Sequence, residues 1–205
     1  MSQAISVLSL ASVGGFLAAL AISTAILARI PIQRGLRVVT ALAVIVALSC
    51  GIIVSGLRLN VTASMPLGIY RLAPIPQPGL RRGTLVAACA PLKAAQLGRR
   101  RAYLSGGRCA GDTEPLLKTV VAIAGDTVTT SSRGISVNGR LLPHSRPVSL
   151  DSAGRKLVPW SQGHYRLLPH QVWLYADHPK SWDSRYWGPV RNVLARVIPL
   201  ATKPS

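Results

Sequence analysis

Two long apolar runs near the start of the chain constrain its fold more than any other feature. Residues Ala4 to Ala28 contain no charged side chain, and Val38 to Leu57 are again free of charge. Each run is about 20 residues or longer, which is enough for a helix to cross a hydrocarbon core about 30 Å thick. The sequence therefore predicts two transmembrane helices, over about residues 4–28 and 38–57. The alternative of a cleaved secretory signal is disfavoured, because no basic region precedes the first run and the run is too long.

A short basic segment between the two runs predicts how the chain is oriented. Arg29, Arg34 and Arg37 lie close together there, and short arginine-rich loops stay in the cytoplasm. Residues 1–58 are thus predicted to be a membrane anchor with a short basic cytoplasmic loop, and residues 59–205 an extracytoplasmic domain. In a bacterium this is a multi-pass protein of the inner membrane whose domain faces the periplasm or cell exterior.

The residues beyond the apolar runs are strongly basic. The chain has a formal net charge of +18, although all six acidic residues lie after Arg58. A large positive charge is typical of proteins that bind nucleic acid. For a domain beside a membrane, attraction to anionic lipid head groups explains it at least as well. We therefore expect the lipid bilayer as a partner and expect no nucleic acid.

The segment after residue 60 has frequent turn residues and several short strand-like runs. Leu116 to Gly125 is rich in β-branched residues, and the Asn138-Gly139 pair predicts a type I′ hairpin. Many short strands with Gly and Pro turns predict a mainly β domain, a coiled sheet or an open barrel. Pro91 to Thr113 is basic and weakly periodic, and we expect it to be a surface insertion.

The cysteines and histidines limit the redox and metal chemistry. Cys89 and Cys109 both belong to the outer domain, where an oxidising compartment would permit a disulfide. The sequence leaves open whether they lie close enough to form one. There is no CxxC motif and no pair of histidines at ligand spacing, so we predict no metal and no cofactor.

Two residues could together carry nucleophilic catalysis. Ser64 lies in the polar stretch NVTASMPLGIYRL, where a serine is either a local cap or a nucleophile. Lys118 is embedded in the apolar run LLKTVVAIAG. A buried lysine can lose its proton and act as a base for a serine, which an arginine cannot do. The alternative is that Lys118 occupies an outward-facing position of its strand.

A charged pair in SWDSRYWGPV has two interpretations. Asp183 and Arg185 are two residues apart, and on a strand such positions share one face. They could form a partly buried ion pair that fixes nearby loops. The alternative is a surface pair that packs beside aromatic side chains.

Three of these stretches resemble a known family when taken in order. SMP at Ser64, LLKTVVAIAGDTV at Lys118 and SWDSRYWG at Asp183 resemble successive boxes of the type I signal peptidases, family S26. NVTASMPLGIYRL is similar to the N-x-T-x-S-x-P-x-G-x-Y pattern of the TraF-type conjugative transfer peptidases. The resemblance spans about Asn60 to Pro189. It implies a signal-peptidase-like coiled β-sheet catalytic domain that follows two transmembrane helices.

The resemblance also implies a role for each matched residue. Ser64 would be the nucleophile and Lys118 its general base. The oxyanion hole would use the backbone N–H of Ser64 and the hydroxyl of Thr62. The supporting residues implied in the same way are Asp183, Arg185 and Ser181.

The function implied is that of a membrane-bound serine endopeptidase with a Ser-Lys dyad. Its partner would be a membrane-tethered precursor, a conjugative pilin if the TraF resemblance holds, and some family members are linked to cyclisation of that pilin. One alternative is a general type I signal peptidase that removes signal peptides from secreted preproteins. Another is a non-catalytic basic subunit of a transfer or secretion channel, which the charge of +18 suggests.

Overall fold

The chain divides into two units, and the boundary between them lies between Leu57 and Arg58. The structure is a computed structural model that describes residues 32–54, 56–62, 64–77 and 79–203. In the first unit the described part is mainly helix α1 (Ile32–Val54). The first predicted span, residues 4–28, lies outside the described residues.

Helix α1 does not coincide with the second predicted span. Arg34 and Arg37, which we expected in a loop, lie within this helix. Arginine is a good helix former, so the basic segment continues directly into the apolar run. The helix ends at Val54, and Gly56 follows with a φ of 69°, a left-handed conformation common just after helices. No helix in the described part of the chain combines the length and the hydropathy that crossing a membrane requires.

The second unit is mainly β, as predicted. Its strands are β1 (Leu57–Asn60), β2 (Gly68–Ala73), β3 (Leu85–Ala88), β4 (Gly106–Cys109), β5 (Leu116–Ala122), β6 (Thr127–Ser131), β7 (Gly134–Val137), β8 (Arg140–Leu141), β9 (Gly163–Arg166), β10 (Trp173–Tyr175) and β11 (Val193–Thr202). One sheet has six strands in the order β1-β2-β11-β3-β5-β10, and the other has four in the order β8-β7-β6-β9. Within the six-stranded sheet β2–β11, β11–β3, β3–β5 and β5–β10 pair antiparallel, and so do all neighbours in the four-stranded sheet.

The predicted hairpin is confirmed. Strands β7 and β8 pair through Val137 and Arg140, and Asn138 and Gly139 form the two-residue turn. Both turn residues have positive φ, 49° and 84°, as a type I′ turn requires. The sequence signal therefore reflected backbone geometry that few other residue pairs can adopt.

The segment from Pro91 to Thr113 is not the surface insertion that we expected. It contains helix α2 (Leu92–Arg100), whose Ala95 and Gly98 are buried. Tyr103 and Leu104, which follow the helix, are also buried in the core. The segment therefore packs on the sheet through one face, while its arginines stay on the other.

Cys89 and Cys109 form a disulfide, the pairing that the sequence left open. Their Cα atoms are 5.5 Å apart, within the usual range for such a bridge. The bond ties the end of β3 to β4. It therefore constrains the segment from Pro91 to Thr113, called the α2 segment below, close to both of its ends. A disulfide of this kind is typical of an oxidising compartment.

Three apolar clusters hold the second unit together. One is formed within the six-stranded sheet by Tyr70, Ala87, Leu117 and Val197, and the other two join this sheet to neighbouring elements. The larger one packs Val86, Val120 and Leu174 of the six-stranded sheet against residues of the α2 segment and of Trp182 to Val190. The smaller one packs Ala122 and Trp173 of that sheet against Val128, Ile135 and Val137 of the other sheet. The smaller cluster thus joins the two sheets.

Strand β11 connects the two halves of the six-stranded sheet. It pairs with β2 on one side and with β3 on the other, and β3 in turn pairs with β5. At the start of β2, a Cβ on Gly68 would lie 2.1 Å from the carbonyl oxygen of Ala201. Only glycine therefore allows β2 to approach β11 this closely. Just beyond β11, the N–H of Lys203 donates to the carbonyl of Leu67 at 2.8 Å.

Candidate active site

Ser64 lies in the loop between β1 and β2, and Lys118 lies in the middle of β5. The Nζ atom of Lys118 is 3.3 Å from the Oγ atom of Ser64, within hydrogen-bonding distance. Both residues are buried, and Ser64 keeps only 7% of its surface exposed. The fold thus brings together two side chains that are 54 residues apart in the sequence.

Lys118 is buried because both faces of β5 are covered. Leu116 and Leu117, which precede it, are also buried, so the alternative of an outward-facing lysine is wrong. Burial disfavours the ammonium form and lowers the pKa of Lys118 to about 8. The charge of Asp183 opposes this shift and that of Arg185 adds to it. About a tenth of Lys118 is therefore neutral at pH 7 and can accept a proton.

The hydroxyl of Thr62 lies next to Ser64. The Oγ1 atom of Thr62 is 3.4 Å from the Oγ atom of Ser64, and the side chain is buried. The same Oγ1 atom donates to Oδ1 of Asn60 at 2.8 Å. Thr62 therefore lies beside Ser64 with its hydroxyl hydrogen bonded to Asn60, and its role as an oxyanion donor stays a prediction.

Two further residues hold the Ser64 loop, and the sequence analysis gave neither of them a role. Asn60 is buried and makes its hydrogen bonds to the loop itself. The hydroxyl of Tyr70 donates to the carbonyl of Pro66 at 2.6 Å. Both residues are fixed positions of the N-x-T-x-S-x-P-x-G-x-Y pattern, so that pattern was the signal from which their roles could have been found.

Asp183 and Arg185 form a fully buried ion pair. The Nη2 and Nε atoms of Arg185 donate to the carboxylate of Asp183 at 2.7 and 2.9 Å, and both side chains are 0% exposed. We expected the pair to lie on a strand, but it lies at the start of a helix. Asp183 caps the short helix α3 (Ser184–Trp187), and its carboxylate accepts from the N–H of Arg185 at 3.1 Å. A carboxylate at this position satisfies the free N–H groups of the first turn.

Arg185 uses its remaining donors to hold the chain around the site. Its guanidinium donates to the carbonyls of His144 and His178 at 2.9 and 2.8 Å, and at 3.3 Å to those of Ala176 and Pro179. The residues from Ala176 to Pro179 directly follow β10, whose Tyr175 pairs with Thr119 beside Lys118. The ion pair thus fixes the segment that borders the lysine.

Ser181 is buried, but no hydrogen-bonding partner for its hydroxyl occurs among the described residues. Its N–H donates to the carbonyl of His178 at 3.0 Å, so its backbone belongs to the segment that Arg185 holds. The structure gives the hydroxyl no hydrogen bond to Lys118. A role of Ser181 beside the lysine stays a prediction.

The rim of the Ser64 loop is apolar. Leu59, Val61, Leu67 and Ile69 lie on β1, on the loop and on β2, and each has between 43% and 56% of its surface exposed. Within the described residues, no group of three or more His, Cys, Asp or Glu side chains could hold a metal ion.

Comparison with known proteins gives a consistent family match. The family described as signal peptidase, peptidase S26, matches residues 32–198. This range includes the Ser64 loop, Lys118 and the Asp183–Arg185 pair.

Three curated relatives carry names related to conjugation. The conjugal transfer protein TraF of Agrobacterium tumefaciens is 39% identical over 160 residues, which is 77% of this chain and 89% of the relative. A plasmid transfer protein TraF of Escherichia coli is 36% identical over 151 residues, 70% of this chain and 81% of the relative. A second Escherichia coli protein of that name is 34% identical over 157 residues, 74% and 84% of the two chains.

Proposed function

Because this chain belongs to the signal peptidase S26 family, we propose that it is a serine endopeptidase with a Ser64–Lys118 dyad. The observation that carries the proposal is the 3.3 Å contact between Nζ of Lys118 and Oγ of Ser64 in a buried site. A neutral amine at this distance can take the proton of the hydroxyl. This distance and the lowered pKa of Lys118 both support Ser64 as the nucleophile and Lys118 as its general base.

The reaction follows from these two groups. Ser64 Oγ attacks the carbonyl carbon of the scissile peptide bond while its proton passes to Nζ of Lys118. The backbone N–H of Ser64 and the hydroxyl of Thr62 stabilise the negative oxygen that forms. The Lys118 ammonium then gives its proton to the leaving amine, and an acyl ester remains on Ser64. Water or an amine then attacks this ester and gives its proton to Lys118, which passes it to Ser64 Oγ as the ester bond breaks.

We propose that the substrate is an exported, membrane-tethered precursor, a conjugative pilin in particular. The names of the relatives support a role in conjugal transfer. When an amine of the same pilin chain replaces water as the acceptor, the same dyad produces a cyclic product. Maturation with or without cyclisation therefore needs no additional catalytic group.

We also propose that the protein works at the bacterial inner membrane, with the second unit on the periplasmic side. The described part of α1 exposes large apolar side chains at Leu36, Val38, Val39, Leu42, Val44 and Ile45. The apolar rim of the Ser64 loop is a second surface of this kind. Exposed apolar patches are buried favourably at a bilayer interface, where the precursor is also held. Two membrane spans within residues 1–58 remain part of this proposal.

The proposal is tested by incubating the purified full chain in detergent with a conjugative pilin precursor. We expect mass spectrometry to show cleavage by the wild type and by Ser132→Ala, a control at an exposed serine. Ser64→Ala should give no product, because no other hydroxyl lies at the Lys118 amine among the described hydrogen bonds. Processing by Ser64→Ala at the wild-type rate would overturn the dyad. A wild type that leaves the precursor intact would instead favour the alternative of a non-catalytic basic subunit.

The same assay separates the proposed function from that of a general signal peptidase. A secreted preprotein unrelated to pili is offered in parallel with the pilin precursor. Comparable kcat/KM values for both would favour the general enzyme. A clear preference for the pilin precursor supports the conjugative role.

We expect the activity to increase with pH. Only the neutral form of Lys118 accepts the serine proton, and its pKa is about 8. At pH 7 about a tenth of the enzyme would then carry a neutral Lys118, and kcat/KM should level off above about pH 8 to 9. The measurement is kcat/KM across this range. A curve that is already flat below pH 7 would contradict the role of Lys118 as base.

A further inference from the structure

Asn60 is the residue on which the hydrogen bonds of the Ser64 loop converge. Its side chain is almost completely buried. Its Nδ2 atom lies 3.1, 3.0 and 2.9 Å from the carbonyl oxygens of Thr62, Met65 and Pro66. Carbonyl oxygens only accept hydrogen bonds, so the amide nitrogen must face them. This fixes the orientation of the amide and leaves Oδ1 as an acceptor on the other side.

The oxygen of Asn60 controls the hydroxyl of Thr62. Oδ1 accepts from the N–H of Thr62 at 3.1 Å and from its Oγ1 at 2.8 Å. A hydroxyl has a single hydrogen, so Thr62 has none left for Ser64. At 3.4 Å, Thr62 can therefore only accept from the Ser64 hydroxyl. In this arrangement the Ser64 hydrogen that Lys118 must remove can be held by Thr62 instead.

We propose that Asn60 is a positioning residue that sets the direction of the Thr62 hydroxyl, and through it that of the Ser64 hydroxyl. This inference rests on the proposed Ser64–Lys118 peptidase. When a substrate carbonyl becomes an oxyanion, it is a stronger acceptor than the neutral amide oxygen of Asn60. The Thr62 hydroxyl then turns from Asn60 to the oxyanion. In the same step Ser64 Oγ, which attacks that carbonyl, gives its proton to Lys118 and no longer donates to Thr62.

Tyr70 provides a matched control for this role. Its hydroxyl donates to the Pro66 carbonyl, which Asn60 Nδ2 also contacts. Within the described part of the chain, Tyr70 makes no side-chain hydrogen bond to Thr62 or Ser64 and supports only the backbone of the loop. A residue that merely stabilises the loop should therefore behave like Tyr70, whereas a residue that directs the hydroxyl should depend on Thr62.

The test is a pair of double-mutant cycles with the pilin precursor as substrate. Thr62→Val should lower kcat about 10²-fold, because one oxyanion donor is lost. We expect Asn60→Ala to lower kcat by a similar factor with KM changed less than about threefold, because the Thr62 side chain is then no longer held beside Ser64. The double variant should lose at least about tenfold less than the product of the two single losses, since both act through one hydroxyl. Thr62→Ser should restore most of the activity.

The control cycle combines Tyr70→Phe with Thr62→Val. Here the two losses should multiply, because Tyr70 acts on the loop backbone and not on the hydroxyl. Multiplicative losses in the Asn60 cycle as well would overturn the inference and leave Asn60 as a purely structural residue.

Asn60→Gln keeps the amide and is the second variant should Asn60→Ala fail to fold. Its longer side chain displaces the amide oxygen from the Thr62 hydroxyl, so its loss of kcat should again be less than multiplicative with that of Thr62→Val. Multiplicative losses would contradict the role of Asn60. Thermal melting identifies any variant that is unfolded.

These outcomes are separable from failure of the proposed function. If the wild type leaves the precursor intact, or Ser64→Ala processes it equally well, the dyad itself is wrong. If the wild type is active and Ser64→Ala is inactive, the Asn60 cycles decide the inference alone.

Discussion

Replacement of Lys118 by arginine is expected to reduce processing of the precursor by about 10⁴-fold. Arginine keeps the positive charge and much of the length of lysine, but its pKa lies above 12 and it does not deprotonate. In the wild type, burial already lowers the pKa of Lys118 to about 8, so the neutral base is present near neutral pH. A guanidinium at the same place could still donate to Ser64, but it could not accept its proton.

The measurement is kcat in the detergent assay for Lys118→Arg and Lys118→Met, with thermal melting of each variant. Lys93→Arg is the control. It makes the same chemical change at an exposed position of α2, away from the site. We expect both Lys118 variants to be inactive while Lys93→Arg matches the wild type. Activity of folded Lys118→Arg within tenfold of the wild type would show that another group is the base.

Replacement of Asp183 by asparagine should cost about 3–5 kcal/mol in free energy of unfolding. The change removes the charge that pairs with Arg185, and both side chains are completely buried. An uncompensated guanidinium would then remain in the interior. Asparagine can keep some of the hydrogen bonds, so the expected loss comes mainly from the charge.

Urea unfolding of the full chain measures this loss, with Asp112→Asn as the control at an exposed aspartate. Replacing both partners, in Asp183→Ala/Arg185→Met, should recover part of the stability, since no buried charge is left. Activity provides a second readout. Asp183 raises the pKa of Lys118 and Arg185 lowers it, so Asp183→Asn should move the acid limb of kcat/KM to lower pH. A stability change below about 1 kcal/mol would show that Arg185 finds another compensating partner.

The sequence predicted those features that depend on local chemistry. The Asn138-Gly139 turn and the β5 strand follow from backbone preference and β-branched residues, and both occur as predicted. The ordered boxes around Ser64 and Lys118 pointed to two residues that the fold brings within 3.3 Å. The order of the boxes was sufficient to select this pair of residues, because a serine hydroxyl and a buried lysine amine each have a specific chemical use.

Features that depend on tertiary packing could not be read in the same way. Asp183 and Arg185 are two residues apart in the sequence, and this spacing would place both side chains on one face of a strand. They lie instead at the start of a helix, where the carboxylate of Asp183 caps the first turn. The α2 segment looked like a basic insertion because its buried positions, Ala95 and Gly98, are small and weakly hydrophobic. The hydrogen bonds of Asn60 appear only once the loop has folded back on itself.

The position of β11 has a consequence for how the protein is made. Ser64 and Lys118 are synthesised well before Val193–Thr202, yet β11 is the strand that joins β2 to β3 and thereby to β5. Before these late residues leave the ribosome, the nucleophile loop lacks the sheet neighbour that supports it. A nascent chain therefore carries Ser64 and Lys118 before the sheet that joins their strands is complete, and the proposed dyad can form only once β11 has been added.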